Sequence, residues 1–183
     1  MASDSASASA FKILLVGDQG VGKTTLLHRH LTGLFNSGYT ATSGVEVRAM
    51  HFNTNYGDIT LNIYDVGAVE KSGFEQVCGG ADGLFLMFDV MKQASYNNLG
   101  KWKQDVAKVA GVLPTVVCGN KVDRKSPIVK ARKITFHNKN PNTTYYDLSV
   151  KSNYNYEKPF LCLLRTVTGH QNLEILPKEA GKV

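Results

Sequence analysis

The chain has 183 residues, 43% of them hydrophobic and 20% charged, with 21 Lys and Arg against 15 Asp and Glu for a net charge of +6. That balance excludes a disordered polymer and suits one domain with room for a core, and no apolar run approaches the roughly 18–20 residues that span a bilayer. Cys78, Cys118 and Cys162 lie far apart, without the spacing of a metal site or a disulfide framework, and read as reduced thiols of the cytosol or nucleus.

In chain order, residues 1–10 are rich in Ser and Ala and lack a basic-then-apolar signal pattern, so they read as a disordered tail. The domain is expected over 11–176, with a short tail at 177–183. A buried strand at 11–16 runs into Gly17-Asp18-Gln19-Gly20-Val21-Gly22-Lys23-Thr24 and then into a helix from about 23 to 32, stopped by Gly33. Residues 34–44 are too polar and Gly-punctuated for a core element. Strands at 45–53 and 59–65 flank a hairpin turn at Asn55-Tyr56-Gly57-Asp58. Residues 66–82 hold four glycines without a helical period, which predicts a mobile loop around a short helix. A buried strand follows at 83–90. Ser95 is expected to cap a helix reaching about residue 110, with Leu99, Trp102, Val106 and Val109 on its apolar face. Strands at 114–119 and 144–148 and a helix at 156–168, with Pro159 in its first turn and Gly169 at its end, complete the chain. Alternating strands and helices predict an α/β fold with a largely parallel sheet covered on both faces.

The stretch 17–24 has the phosphate-loop spacing, two glycines with four residues between them followed by Lys and Thr, in the strand–loop–helix context the motif needs. Its glycines let backbone N–H groups turn toward phosphate oxygens, and the helix N-terminus behind them favours negative charge. Lys23 is placed to reach the outer phosphates and the Thr24 hydroxyl to ligate a magnesium ion. Asn120-Lys121-Val122-Asp123 directly follows a strand. A carboxylate there accepts from both the ring N–H and the exocyclic amine of guanine, whereas adenine offers no such donor pair. The Lys121 stem is placed to lie over the purine, and Asn120 to tie loops together. Ser149-Val150-Lys151 offers backbone amides to the guanine oxygen, and Asp65, ending a strand, is placed to hold magnesium through water.

Charge is concentrated: residues 121–151 carry eight basic and two acidic residues, the whole net excess. This reads as a solvated basic face or as a site for an acidic partner. Nucleic acid fits less well, because no aromatic-interleaved or zinc-finger pattern accompanies the charge.

Taken together, these motifs resemble the Ras-like small GTPases, and within them the Ran family of nuclear-transport GTPases. The resemblance spans about 11–174. It is closest in Arg29-His30-Leu31-Thr32-Gly33, in Ala41-Thr42-x-Gly44-Val45-Glu46-Val47, in Cys118-Gly119-Asn120-Lys121-Val122-Asp123, in Lys151-Ser152-Asn153-Tyr154-Asn155 and in Glu157-Lys158-Pro159-Phe160-Leu161. It implies a six-stranded, mostly parallel sheet with five helices. It implies GTP/GDP contacts from Asp18, Gln19, Gly20, Val21, Gly22, Lys23, Thr24 and Thr25, from Phe35 beside the guanine, and from Thr42 and Ala68. Asn120, Lys121, Asp123, Ser149, Val150 and Lys151 complete that set, with Mg2+ held by Thr24, Thr42 and, through water, Asp65. Residues 34–44 would be switch I and 65–80 switch II. The implied partners are importin-β-type transport receptors, a Ran-type exchange factor and a GTPase-activating protein. The implied setting is the nucleus and cytoplasm, as a monomer without a membrane anchor or nucleic acid.

The departures from the family pattern bear on activity. Where switch II of the family reads Asp-Thr-Ala-Gly-Gln-Glu, this chain reads Asp65-Val66-Gly67-Ala68-Val69-Glu70. Val69 occupies the slot of the glutamine that orients the attacking water, and Ala68 that of a glycine whose amide holds the terminal phosphate. Gln19 replaces a phosphate-loop glycine where bulk crowds the transition state. Switch II is shorter by about two residues, the basic run is thinned to His137-Asn138-Lys139-Asn140, and the family's acidic C-terminal tail is missing, since the sequence stops at Val183. Two readings stay open: a slowly cycling GTPase and a GTP-locked binding module of the same fold.

Overall fold

The computed structural model describes residues 9–38 and 41–177. Six strands, β1 (Ser9–Val16), β2 (Val45–Thr54), β3 (Gly57–Val66), β4 (Gly83–Asp89), β5 (Thr115–Asn120) and β6 (Thr143–Asp147), form one sheet in the order β2-β3-β1-β4-β5-β6. The β2–β3 hairpin is antiparallel and every other pairing is parallel. Helices α1 (Lys23–Thr32), α2 (Lys71–Cys78), α3 (Gln93–Asn97), α4 (Leu99–Ala110), α5 (Phe136–Lys139) and α6 (Lys158–Thr168) cover its two faces, with one 3₁₀ turn at Ala131–Lys133.

Parallel strands buried on both sides need apolar residues at successive positions, and β1 and β4 supply them. Ile13 and Leu15 of β1 with Phe85 and Met87 of β4 join a core closed by Leu26 and Leu27 of α1 and Phe160, Leu163 and Leu164 of α6. Leu14, Val16, Leu84, Leu86 and Phe88 point the other way, into a second core closed by Cys78 of α2 and by Leu99 and Val106 of α4. The amphipathic alternation of β3 works similarly, with Ile59, Leu61 and Ile63 buried on one face.

Several expectations are corrected. Ser9 and Ala10 belong to β1, because β3 offers them parallel partners at Ile59 and Thr60; the remainder of the expected N-terminal tail, and of the C-terminal tail beyond Pro177, lies outside the described residues. The single helix expected after β4 is two helices meeting at Asn98, so the described residues contain six α-helices rather than the five implied. Ser95 is not a cap. It lies inside α3, buried, where its hydroxyl accepts the Asp89 N–H at 3.0 Å and donates to the Lys92 carbonyl at 2.7 Å, pinning the turn after β4. Val109 is 40% exposed. Three turns of helix take about eleven residues, so Ala110 and not Val109 returns to the face of Leu99 and packs on the second core. Among the described residues, no helix is long and apolar enough to cross a membrane.

Candidate functional site

The C-terminal ends of β1, β3, β5 and β6 converge on a cavity of about 610 Å³, the position where open α/β sheets characteristically bind ligands. Its walls take Gln19, Gly20, Gly22, Lys23, Thr24 and Thr25 from the loop after β1 and the start of α1. Phe35 and Thr42 come from the segment between α1 and β2, Asn120, Lys121 and Asp123 from the end of β5, and Val150 and Lys151 from the loop after β6.

The loop 17–22 is fixed from both ends. Gly22 adopts φ 107°, and a Cβ there would collide with the Asn120 side-chain amide, so only glycine fits. Asn120, buried, donates from Nδ2 to the Val21 carbonyl at 2.8 Å, while its Oδ1 accepts the N–H groups of Lys121 at 2.7 Å and Val150 at 3.2 Å. One side chain thereby ties three loops. Lys121, in a left-handed conformation with φ 71°, donates from Nζ to the Gly20 carbonyl at 2.8 Å and to Asp89 Oδ2 at 2.6 Å.

Lys23 is buried and its Nζ donates to the carbonyls of Gly17 at 2.7 Å and Asp18 at 3.2 Å. Burial holds its pKa below the ordinary lysine value, against the opposing pull of Asp65 and Asp18. Thr24 donates to Asp65 Oδ2 at 2.5 Å and lies 2.8 Å from the Thr42 hydroxyl. Burial pushes the Asp65 carboxyl up, while the Thr24 hydrogen bond and then the Lys23 charge oppose it. Asp65 Oδ1 is buried without a hydrogen-bond partner among the described residues. These features fit a magnesium–phosphate pair. Three oxygen-bearing side chains suit a hard cation, the orphaned Oδ1 has capacity for it, and an anion beside Lys23 offsets the cost of burying an ammonium.

At the other end of the cavity, Asp123 is exposed and its Oδ1 accepts from Ser149 Oγ at 2.7 Å. That leaves the remaining carboxylate oxygen for a donor in the cavity.

Several predicted residues sit elsewhere. The Asp18 carboxylate is turned off the cavity onto Asn98 Nδ2 and Trp102 Nε1, each at 2.8 Å. Val21 is buried and contributes its carbonyl to Asn120. The Ala68 amide, expected at the terminal phosphate, donates instead to the Thr42 carbonyl at 3.1 Å, and Gly67 forms the wall in its place. A Cβ at Gly67 would run into that same Thr42 carbonyl, so glycine permits the close approach of the two segments. Ser149 is fully buried. Its amide goes to the Tyr154 carbonyl and that of Val150 to Asn120, so two of the three amides expected at the base are engaged within the protein. Val69 packs on the second core and does not line the cavity.

Sequence reasoning missed the wall residues His28, Asn36, Ser37, Gly38 and Arg124. His28 was legible, because it follows Thr24 by one helical turn. Asn36 and Gly38 form a local turn, with the Gly38 N–H donating to Asn36 Oδ1 at 2.8 Å.

A model of the Ras family matches residues 12–169. Members of that family bind GTP and GDP, generally with Mg2+, and engage exchange factors, GTPase-activating proteins and effectors. With the phosphate loop, the segment before β2 and both loops expected at the base arranged around one cavity, the chain belongs to the Ras family of small GTPases.

Proposed function

We propose that the chain is a guanine-nucleotide switch that holds GTP with Mg2+ and turns it over slowly. The carrying observation is the convergence of Lys23, Asn120 and Asp123 on a single cavity, with Asp123 fixed by Ser149. In this reading the phosphate loop and Lys23 orient the phosphates, and Asp123 accepts the paired donors of guanine. Thr24, Thr42 and Asp65 would hold the cation, which when bound supplies charge neutralisation to the outer phosphates. Competition of GTP and ATP for the purified chain tests the assignment: strong preference for GTP is expected, and equal affinities refute it.

Slow turnover is supported by the position of Val69. Its side chain has neither donor nor acceptor and packs on the second core, so it cannot orient a water as a glutamine does. Glu70 and Gln76, the nearby polar alternatives, are exposed and do not line the cavity. The observation favours a GTP-locked binding module as the second reading. The nucleotide that co-purifies separates the two, mostly GTP for the locked form and mostly GDP for the cycling one.

The finer role we propose is nucleocytoplasmic transport, in the nucleus and cytoplasm, through GTP-dependent binding of importin-β-type receptors. Its support is the sequence resemblance to the Ran family in the segments around Thr42, Asn120 and Asn153, together with the exposed basic residues Arg124, Lys125, Lys130, Arg132, Lys133 and Lys139. Pull-down of such receptors by the chain loaded with a non-hydrolysable GTP analogue, and not with GDP, is expected. Absence of receptor binding in both states refutes this role.

A further inference from the structure

The phosphate loop of this chain carries a carboxylate, Asp18, beside a site for a polyanion, and the structure shows what restrains it. Trp102, the only tryptophan of the chain, donates its indole N–H to Asp18 Oδ1 at 2.8 Å. Asn98, at the joint of α3 and α4, donates its side-chain amide to Asp18 Oδ2 at 2.8 Å. Each carboxylate oxygen therefore has one donor, from the joint and from the first turn of α4, and the charge is directed away from the cavity, whose walls exclude Asp18. A second tie reaches the loop two residues on. Ser95 of α3 accepts the Asp89 N–H, Asp89 pairs with Lys121, and Lys121 donates to the Gly20 carbonyl. The Trp102 ring also meets Phe74 of α2, centroids 6.2 Å apart.

Hydrogen bonds to an ionised acceptor are strong and directional, whereas a carboxylate free to rotate would add like-charge repulsion to bound phosphates. We propose that Trp102 and Asn98 are positioning residues for the phosphate loop, holding the Asp18 carboxylate off the bound phosphates and so setting how long a nucleotide stays. The proposal rests on the nucleotide reading above. It differs from simple helix packing in one respect: the donors matter only because Asp18 is charged.

The test uses the full chain loaded with fluorescently labelled GDP and Mg2+, with release measured by dilution into excess GDP. Trp102→Phe keeps a ring against Phe74 and removes the donor. Combined with Asn98→Ala, it is expected to speed release about tenfold, equivalent to roughly 1.4 kcal/mol. Adding Asp18→Ala to that pair is expected to slow release again toward the wild-type rate, since the charge that needed restraint is gone. A packing role predicts no such rescue. A second readout needs no nucleotide exchange: the emission maximum of Trp102 is expected to shift in Asp18→Ala, because the indole loses its acceptor. Unchanged release in the double variant, absence of rescue, or an unshifted emission maximum overturns the proposal. A wild-type chain that takes up no labelled nucleotide overturns the nucleotide reading and the proposal with it. Uptake with unchanged release in the double variant overturns the proposal alone.

Discussion

Thr24 and Asp65, 41 residues apart, are joined by a 2.5 Å hydrogen bond that links the start of α1 to the end of β3, with the Thr42 hydroxyl 2.8 Å from the same Thr24 oxygen. Removing a group that bonds to a charged partner costs about 1.5–3 kcal/mol, roughly 10- to 150-fold in affinity. Chelation of Mg2+ is therefore expected to speed nucleotide release from the wild type by at least about tenfold. Asp65→Ala is expected to release quickly with or without chelator. Release from Asp65→Ala that chelator still accelerates as strongly as in the wild type refutes the cation assignment.

Base selection is expected to depend on Asp123 and on the residue that orients it. Asp123→Asn should weaken guanine nucleotides and favour xanthine, whose second carbonyl accepts from the new amide. Ser149→Ala removes the 2.7 Å hydrogen bond to Asp123 Oδ1, and should lower GTP affinity about 5- to 10-fold while leaving the preference over ATP in place. Calorimetric titration of both variants checks this, and a Ser149→Ala chain with wild-type affinity counts against the orienting role.

Single-turnover hydrolysis is expected to be slow, and an activating protein is expected to fall short of the roughly 10³–10⁵-fold stimulation seen in this reaction class. Gln19 is an exposed wall residue, and its bulk is expected to obstruct an activating arginine supplied by a partner. Val69→Gln alone should restore less rate than Gln19→Gly, Ala68→Gly and Val69→Gln together, because the defects act on one transition state and do not add. Wild-type turnover that reaches full stimulation refutes the slow-switch reading.

The three thiols should react in an order set by burial. Cys78 and Cys118 are fully buried and Cys162 is half-buried, so alkylation of the folded chain at about pH 8 should label Cys162 first. Burial pushes the Cys78 thiol from the ordinary 9.0 up to about 11, and complete burial pushes Cys118 well up too. A raised folded-state value means the neutral thiol contributes stability fully below pH 9, and that contribution is lost as pH rises through about 11. Thermal unfolding should therefore fall in midpoint across that window, and a midpoint unchanged between about pH 8 and pH 11 contradicts it.

The alternation of apolar strands with helices was legible because each strand's burial is written into consecutive residues: Ile13, Leu14, Leu15 and Val16 fill both cores from one segment. The phosphate loop was legible for a related reason. A backbone cradle is made by neighbours in sequence, and the positive φ at residue 22 favours glycine locally, although the close approach of Asn120 that also demands it is tertiary.

The sequence by itself determined the α/β class, the loop 17–24, the succession of strands and helices along the chain and the residue types available to hold a phosphate, a cation and a base. Only the tertiary structure decided where several of those side chains point. Asp18 faces α4 because its acceptors meet Asn98 and Trp102, 80 and 84 residues away. Ala68 gives its amide to Thr42, and Ser149 is committed to Asp123 and Tyr154, each across a gap in sequence. Backbone form follows from short-range sterics and periodicity, so it can be read along the chain. A polar side chain takes whichever donor or acceptor folding brings within reach, and no local pattern encodes that choice.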